Sequence, residues 1–157
     1  MHLLTEEEKR LLLKEIEELE AEDAKAHAQG GFMGFVERMW PGFIPGRHHE
    51  VVAKAFEDVV NGQNKRLIIN MAPRHTKSEF ASYLLPAWFL GKNPQKKVIQ
   101  TSHTAELAVG FGRKVRNLID SEEYHAVFDD VRLKADNKSA SRWATNKGGE
   151  YFSMGVS

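Results

Sequence analysis

Between Ile68 and Ser78 the chain reads IINMAPRHTKS, and three groups able to face an anion, Arg74, His75 and Lys77, fall within four residues of one another. A lysine followed directly by a hydroxyl residue is how the generic phosphate loop GxxxxGK[ST] ends: the ammonium reaches the β- and γ-phosphates and the hydroxyl coordinates magnesium. Lys77 and Ser78 occupy those two places. Both glycines of the pattern are missing. Met71 stands at the first and Thr76 at the second, where a residue without Cβ normally lets the backbone approach phosphate. The pattern alone leaves a second reading open, an ordinary polar loop in which Thr76 or Ser78 caps the next helix.

A phosphate loop works only where a strand delivers it and a helix N-terminus receives the anion. RLIINM, Arg66 to Met71, is a short and nearly continuous apolar run, as expected of a parallel strand buried on both faces. A helix follows from about Ser78 to Leu90, closed by Gly91 and Pro94. Lys97 to Ser102 reads as a second strand and Thr104 to Asp120 as a further helix. The order β-loop-α-β-α predicts an α/β fold built on a parallel sheet flanked by helices.

Upstream, Thr5 and Glu8 form a capping-box pattern, and Leu12, Ile16 and Leu19 keep helical spacing up to Gln29. Gly30 and Gly31 stop that helix, so residues 1–31 read as an amphipathic arm, docked on its own domain or on a partner, and residues 32–157 as the domain. Gly34 to Gly46 reads as a short helix and an irregular packed loop. His48 to Asn61 then carries Val51, Val52, Ala55, Phe56 and Val59 on one helical face before Gly62. After Asp120 the pattern weakens until Trp143 and EYFSMGV suggest short strands around a Gly148-Gly149 turn.

Bulk composition narrows the field. A chain of 157 residues with 41% apolar content supports one core. Twenty-two basic residues balance twenty-two acidic ones, so any DNA contact would be local rather than driven by a global field. Cysteine is absent, which removes disulfides, thiolate metal sites and thiol nucleophiles. No apolar run approaches the roughly 20 residues of a membrane span, and MHLLTEEEKR lacks the order of a signal peptide, so a soluble intracellular protein is expected.

Other groups carry weaker signals. His48 and His49 are adjacent, and no His pair at i, i+4 with a carboxylate base argues for zinc. Arg113, Lys114 and Arg116 form a basic cluster, read either as a solvated face or as a contact to DNA or a neighbouring γ-phosphate. Ser102 and Thr104 fall at the carboxyl end of the second strand, where ligands of parallel sheets collect. Trp88 and Trp143 read as core aromatics. Phe128-Asp129-Asp130 resembles an acidic strand end, but the preceding residues are not β-formers and the stretch reads as a turn.

PRHTKS resembles the PRHGKS form of the Walker A loop in large terminase subunits, the ATP-driven motors that pump viral DNA into procapsids. The frame around GRHHEVVAKAF, KRLIINMAPRHTKSE, QTSHTAELAVGFGRKVRNLI and SRWATNKGGEYFSMGV is similar in order and spacing to the ATPase domain of that family. The resemblance implies a P-loop NTPase-type fold with ATP and Mg2+ as cofactors. Ala72, Pro73, Arg74, His75, Thr76, Lys77 and Ser78 would cradle the phosphates, with His49 near the adenine. Lys77 and Arg74 would be the catalytic pair, Arg74 polarising the γ-phosphate or sensing its loss, and Ser78 would hold magnesium. Thr76 departs from the family's glycine.

The same resemblance implies double-stranded DNA, a portal protein and a small terminase subunit as partners, a homo-oligomeric ring in the complete protein, and a place in the host cytoplasm, transiently at the procapsid portal. It puts the acidic strand that organises magnesium beyond a glycine-rich stretch beginning near Gly155, so this chain is expected to stop short of the Walker B carboxylates and of the nuclease domain. The alternatives are another P-loop translocase or helicase-like ATPase, and a non-catalytic interaction fragment.

Overall fold

Several helix starts are written locally. In a computed structural model, which describes residues 4–156 apart from the side chains of 136–138, α1 (Glu6–Gly30) opens on a reciprocal cap. The Glu8 N–H donates to Thr5 Oγ1 and the Thr5 N–H donates to the Glu8 carboxylate at 2.7 Å. Leu12, Ile16 and Leu19 are exposed, whereas Ala28 is fully buried in the main core. The arm is thus anchored at its C-terminal end. Lys25 pairs with Asp129 at 2.8 Å, Gln29 donates to the Val127 carbonyl, and Trp88 Nε1–H donates to the Ala28 carbonyl at 3.2 Å.

Two further helices, α2 (Phe32–Met39) and α3 (Arg47–Val60), bring Phe32, Phe35, Ala53 and Phe56 inward. Phe32 is the hub of this core. Its ring meets Phe56, Phe80 and Trp88 edge-on at centroid distances of 5.3 to 5.7 Å, the geometry aromatic quadrupoles favour. After the loop a helix begins at Lys77 and passes through a π-helical turn, Glu79–Leu84, into α4 (Leu85–Lys92). Pro86 accounts for the wide turn. Proline offers no N–H and its ring crowds the carbonyl one turn back, and here the Leu85 N–H reaches five residues back to Phe80.

The sheet has the order β1-β4-β3-β2, built from β1 (Lys97–Ser102), β2 (Leu133–Lys138), β3 (Arg142–Thr145) and β4 (Glu150–Gly155). β1 and β4 are parallel; β4 with β3 and β3 with β2 are antiparallel. The expected strands around Gly148 are therefore present. Gly148 takes φ +91°, a left-handed conformation that glycine adopts without the Cβ penalty, and the Thr145 N–H closes the hairpin on the Gly149 carbonyl.

Helix α5 (Ala105–Ile119), capped by Thr104, packs on one face of the sheet. Trp143 and Tyr151 stack there, centroids 4.7 Å apart and planes 4° from parallel, and Trp143 Nε1–H donates to the Gly112 carbonyl. Gly112 allows that approach: a Cβ on it would fall 2.8 Å from the Ala140 carbonyl oxygen. On the other face Ile99 stands beside Phe152 in register and is 70% exposed.

Three elements differ from the sequence expectation. The α/β class holds, but the sheet is mixed rather than parallel. Arg66–Met71 does not join it. Among the described residues nothing pairs with the backbone of residues 67–71, and burial is one-sided, Ile69 packing on the core while Ile68 is 87% exposed. A strand needs a ladder partner, which an apolar run cannot supply for itself. Finally, α6 (Glu122–Val127) and β2 occupy the stretch whose pattern was too polar to read. Asp129 and Asp130 lie in the turn between them, paired with Lys25 and with Lys147 at 3.5 Å.

Candidate phosphate-binding loop

The loop 72–76 joins the extended segment 66–71 to the helix that starts at Lys77. Arg74 and Thr76 both take positive φ, +64° and +60°. Left-handed conformations are uncommon outside glycine and costly for a β-branched residue, by about 1–3 kcal/mol. Thr76 stands where the generic pattern has its second glycine, and its backbone has the conformation a glycine would favour. Left-handed residues set among right-handed ones turn successive N–H groups towards one side, the nest that binds anions.

Local bonds hold this shape. Thr76 Oγ1–H donates to the His75 carbonyl at 2.6 Å, and the Phe80 N–H donates to the Thr76 carbonyl as the helix begins. His75 Nδ1 lies 2.9 Å from the Pro73 carbonyl, which only accepts, so that nitrogen carries the proton.

Charge at the loop is uncompensated. Ala72, Pro73, Arg74, His75, Lys77 and Ser78 are exposed, and among the described residues no carboxylate pairs with Arg74 or Lys77. The carboxylate closest in sequence, Glu79, is turned away and held by Lys114 at 2.9 Å. Two cations without a carboxylate partner thus flank the loop, Arg74 within it and Lys77 at the start of the helix that follows.

The two histidines of α3 separate. His49 is 7% exposed. Its Nδ1 accepts the Gly46 N–H at 2.9 Å, its ring lies against Phe43 and Phe80, and its Nε2 is buried without a partner. Burial first, then the neighbouring His48 and His75, holds its pKa below the ordinary histidine value. His48, instead, lines an open cleft of about 700 Å3 with Val51, Val52, Ala55 and the exposed edge of residues 67–71. The predicted apolar face of α3 is accordingly shared: Ala53 and Phe56 enter the core, while Val51 and Ala55 line the cleft. A second cleft, of about 440 Å3, lies against Ile69, Lys77, Ser78 and Ala81.

The remaining candidates are placed as follows. Lys114 bonds Glu79 and lies over the Tyr83 ring at 4.6 Å, Arg116 contacts Asn117, and Arg113 is exposed. Thr104 is an N-cap, accepting from the Leu107 N–H, and lines a further cleft with Glu79, Glu106 and Lys114 at the carboxyl end of β1. Trp88 and Trp143 are fully buried core residues. Among the described residues no group of three or more His, Asp or Glu is placed to hold a metal, and no helix is long and apolar enough to cross a membrane.

Sequence reasoning missed the Glu79–Lys114 pair, whose members are 35 positions apart, and the burial of His49 between Phe43 and Phe80. The family resemblance marked His49 as a residue near the adenine, but nothing in the local pattern marked it as buried. No family model matches the chain, and no curated protein and no solved structure matches it either.

Proposed function

We propose that this chain is the ATP-binding part of a DNA-packaging terminase motor, with residues 72–78 as the phosphate loop. The observation that carries the reading is the left-handed backbone of Arg74 and Thr76 directly before Lys77 and Ser78 at a helix start. A loop without glycine that keeps a strained glycine conformation, beside two unpaired cations, is the arrangement an anion would stabilise.

In this reading the loop N–H groups and the Lys77 ammonium hold the β- and γ-phosphates. Arg74 answers to the γ-phosphate, and the Ser78 hydroxyl takes one coordination position of Mg2+, which neutralises phosphate charge. The exposed apolar cleft beside His48 takes the adenine, with His49 beneath it as support rather than as a contact. Duplex DNA, portal protein and small terminase subunit as partners, the ring, the P-loop NTPase fold and the host cytoplasm belong to the same reading and rest on the resemblance of PRHTKS and its frame.

Titration with a fluorescent ATP analogue in magnesium tests it. The unaltered chain gives a saturable signal and Lys77→Ala loses it, with the circular dichroism spectrum unchanged. Equal binding by Lys77→Ala, or none by the parent chain, overturns the reading.

A further inference from the structure

Three imidazoles meet where the start of α3 touches the loop. The His48 and His49 rings have centroids 3.8 Å apart, and His48 lies 5.8 Å from His75. His48 and His49 belong to α3 and His75 to the loop, so the His48–His75 contact bridges the two.

We infer that the rings of His48, His49 and His75 form a latch, which seats residues 72–76 on the N-terminus of α3 and opens when His49 gains a second proton.

The chemistry follows from where each proton sits. Because the Gly46 N–H donates to His49 Nδ1, neutral His49 carries its proton on Nε2, which is buried between aromatic rings. A second proton can go only to Nδ1. It would remove the acceptor for Gly46, leaving that N–H unpaired, and put a charged ring against Phe43 and Phe80.

The surroundings do not offset that charge. On α3 the neighbours are Arg47, His48 and Glu50, and on the loop Arg74, His75 and Lys77. The element following the loop contributes Phe80, its Glu79 being taken by Lys114. A charge on the His49 ring would therefore stand in a patch already rich in cations, and would repel the loop that carries Arg74 and Lys77. The depressed pKa of His49 agrees with this geometry. The latch concerns the seating of the loop and holds whether or not the loop takes a nucleotide.

The test uses the whole chain without nucleotide. NMR of histidine ring nitrogens, amide exchange at Gly46 and heteronuclear NOEs for residues 72–76 are followed from pH 8 to 5.5. The Gly46 amide, corrected for intrinsic exchange, is expected to speed up severalfold as His49 gains its proton and stops accepting from it. The loop NOEs should fall over the same range. His75→Gln, on an exposed residue, and His49→Gln, which can still accept from Gly46, should each flatten both changes. Loop NOEs that stay constant while His49 titrates overturn the latch, as does an undiminished response in His75→Gln.

Discussion

Lys114 of α5 reaches both carboxylate oxygens of Glu79 at 2.9 Å, so the first turn after the loop is fastened to the helix that covers the sheet. The same ammonium lies over the Tyr83 ring. Both side chains are part-exposed, 47% and 38%, and solvent screening keeps the pair weak. A double-mutant cycle of Glu79→Gln and Lys114→Met should give a coupling of about 0.5–1 kcal/mol in urea unfolding. A coupling indistinguishable from zero would mean that the bridge does not fasten the two helices.

Thr76→Gly should stabilise the chain by about 1 kcal/mol, because it relieves a β-branched residue at φ +60° and loses only one local hydroxyl bond. Part of that gain is offset by the greater freedom of glycine in the unfolded chain. Thermal melts decide the sign. If residues 72–78 hold phosphate, the same variant should also bind the ATP analogue more tightly.

Gly149→Ala should destabilise by about 1–3 kcal/mol, since an added Cβ would fall 2.3 Å from the Pro94 carbonyl oxygen and 2.8 Å from that of Lys96. Neither obstacle is a flexible side chain. An urea midpoint equal to the parent's would show that the β1 and β4 connections can part without cost.

Stability should fall with acid in two separate windows. His49 has a depressed folded pKa, caused first by burial, so its contribution is complete above the unfolded histidine value of about 6.5 and is lost as pH drops from there through the folded value. His49→Gln should remove this dependence. Asp129 beside Lys25 and Glu150 beside Lys97 are likewise held low, and their contributions fade only as pH falls below about 4. Urea midpoints at pH 7.5, 5.5 and 3.5 in parent and variant separate the two.

How much was legible depends on how far apart the cooperating residues lie. The Thr5–Glu8 box, α3, β1, the cap at Thr104, the helix behind it and the hairpin at Gly148 all followed from residues within a few positions of each other. Trp88 and Trp143 read as core on residue type alone, large apolar rings having few other stable places. Arg66–Met71 reads as a strand but is not one, because an apolar run says only that a segment can pair, while pairing is a property of two segments.

By itself the amino-acid order determined α1, α3 and α5, the caps at Thr5 and Thr104, the turn at Gly148, and the identity of the loop residues from Ala72 to Ser78. Those depend on short-range hydrogen bonds and backbone preferences. Tertiary structure alone decided that the sheet is mixed, that the residue at Thr76 adopts a glycine's backbone, and that His49 is buried against Phe43 and Phe80 while His48 lines the cleft. It also decided that Glu79 faces Lys114 and leaves Arg74 and Lys77 unpaired. These outcomes turn on which distant surfaces are brought together, and packing settles that only once the chain has closed on itself.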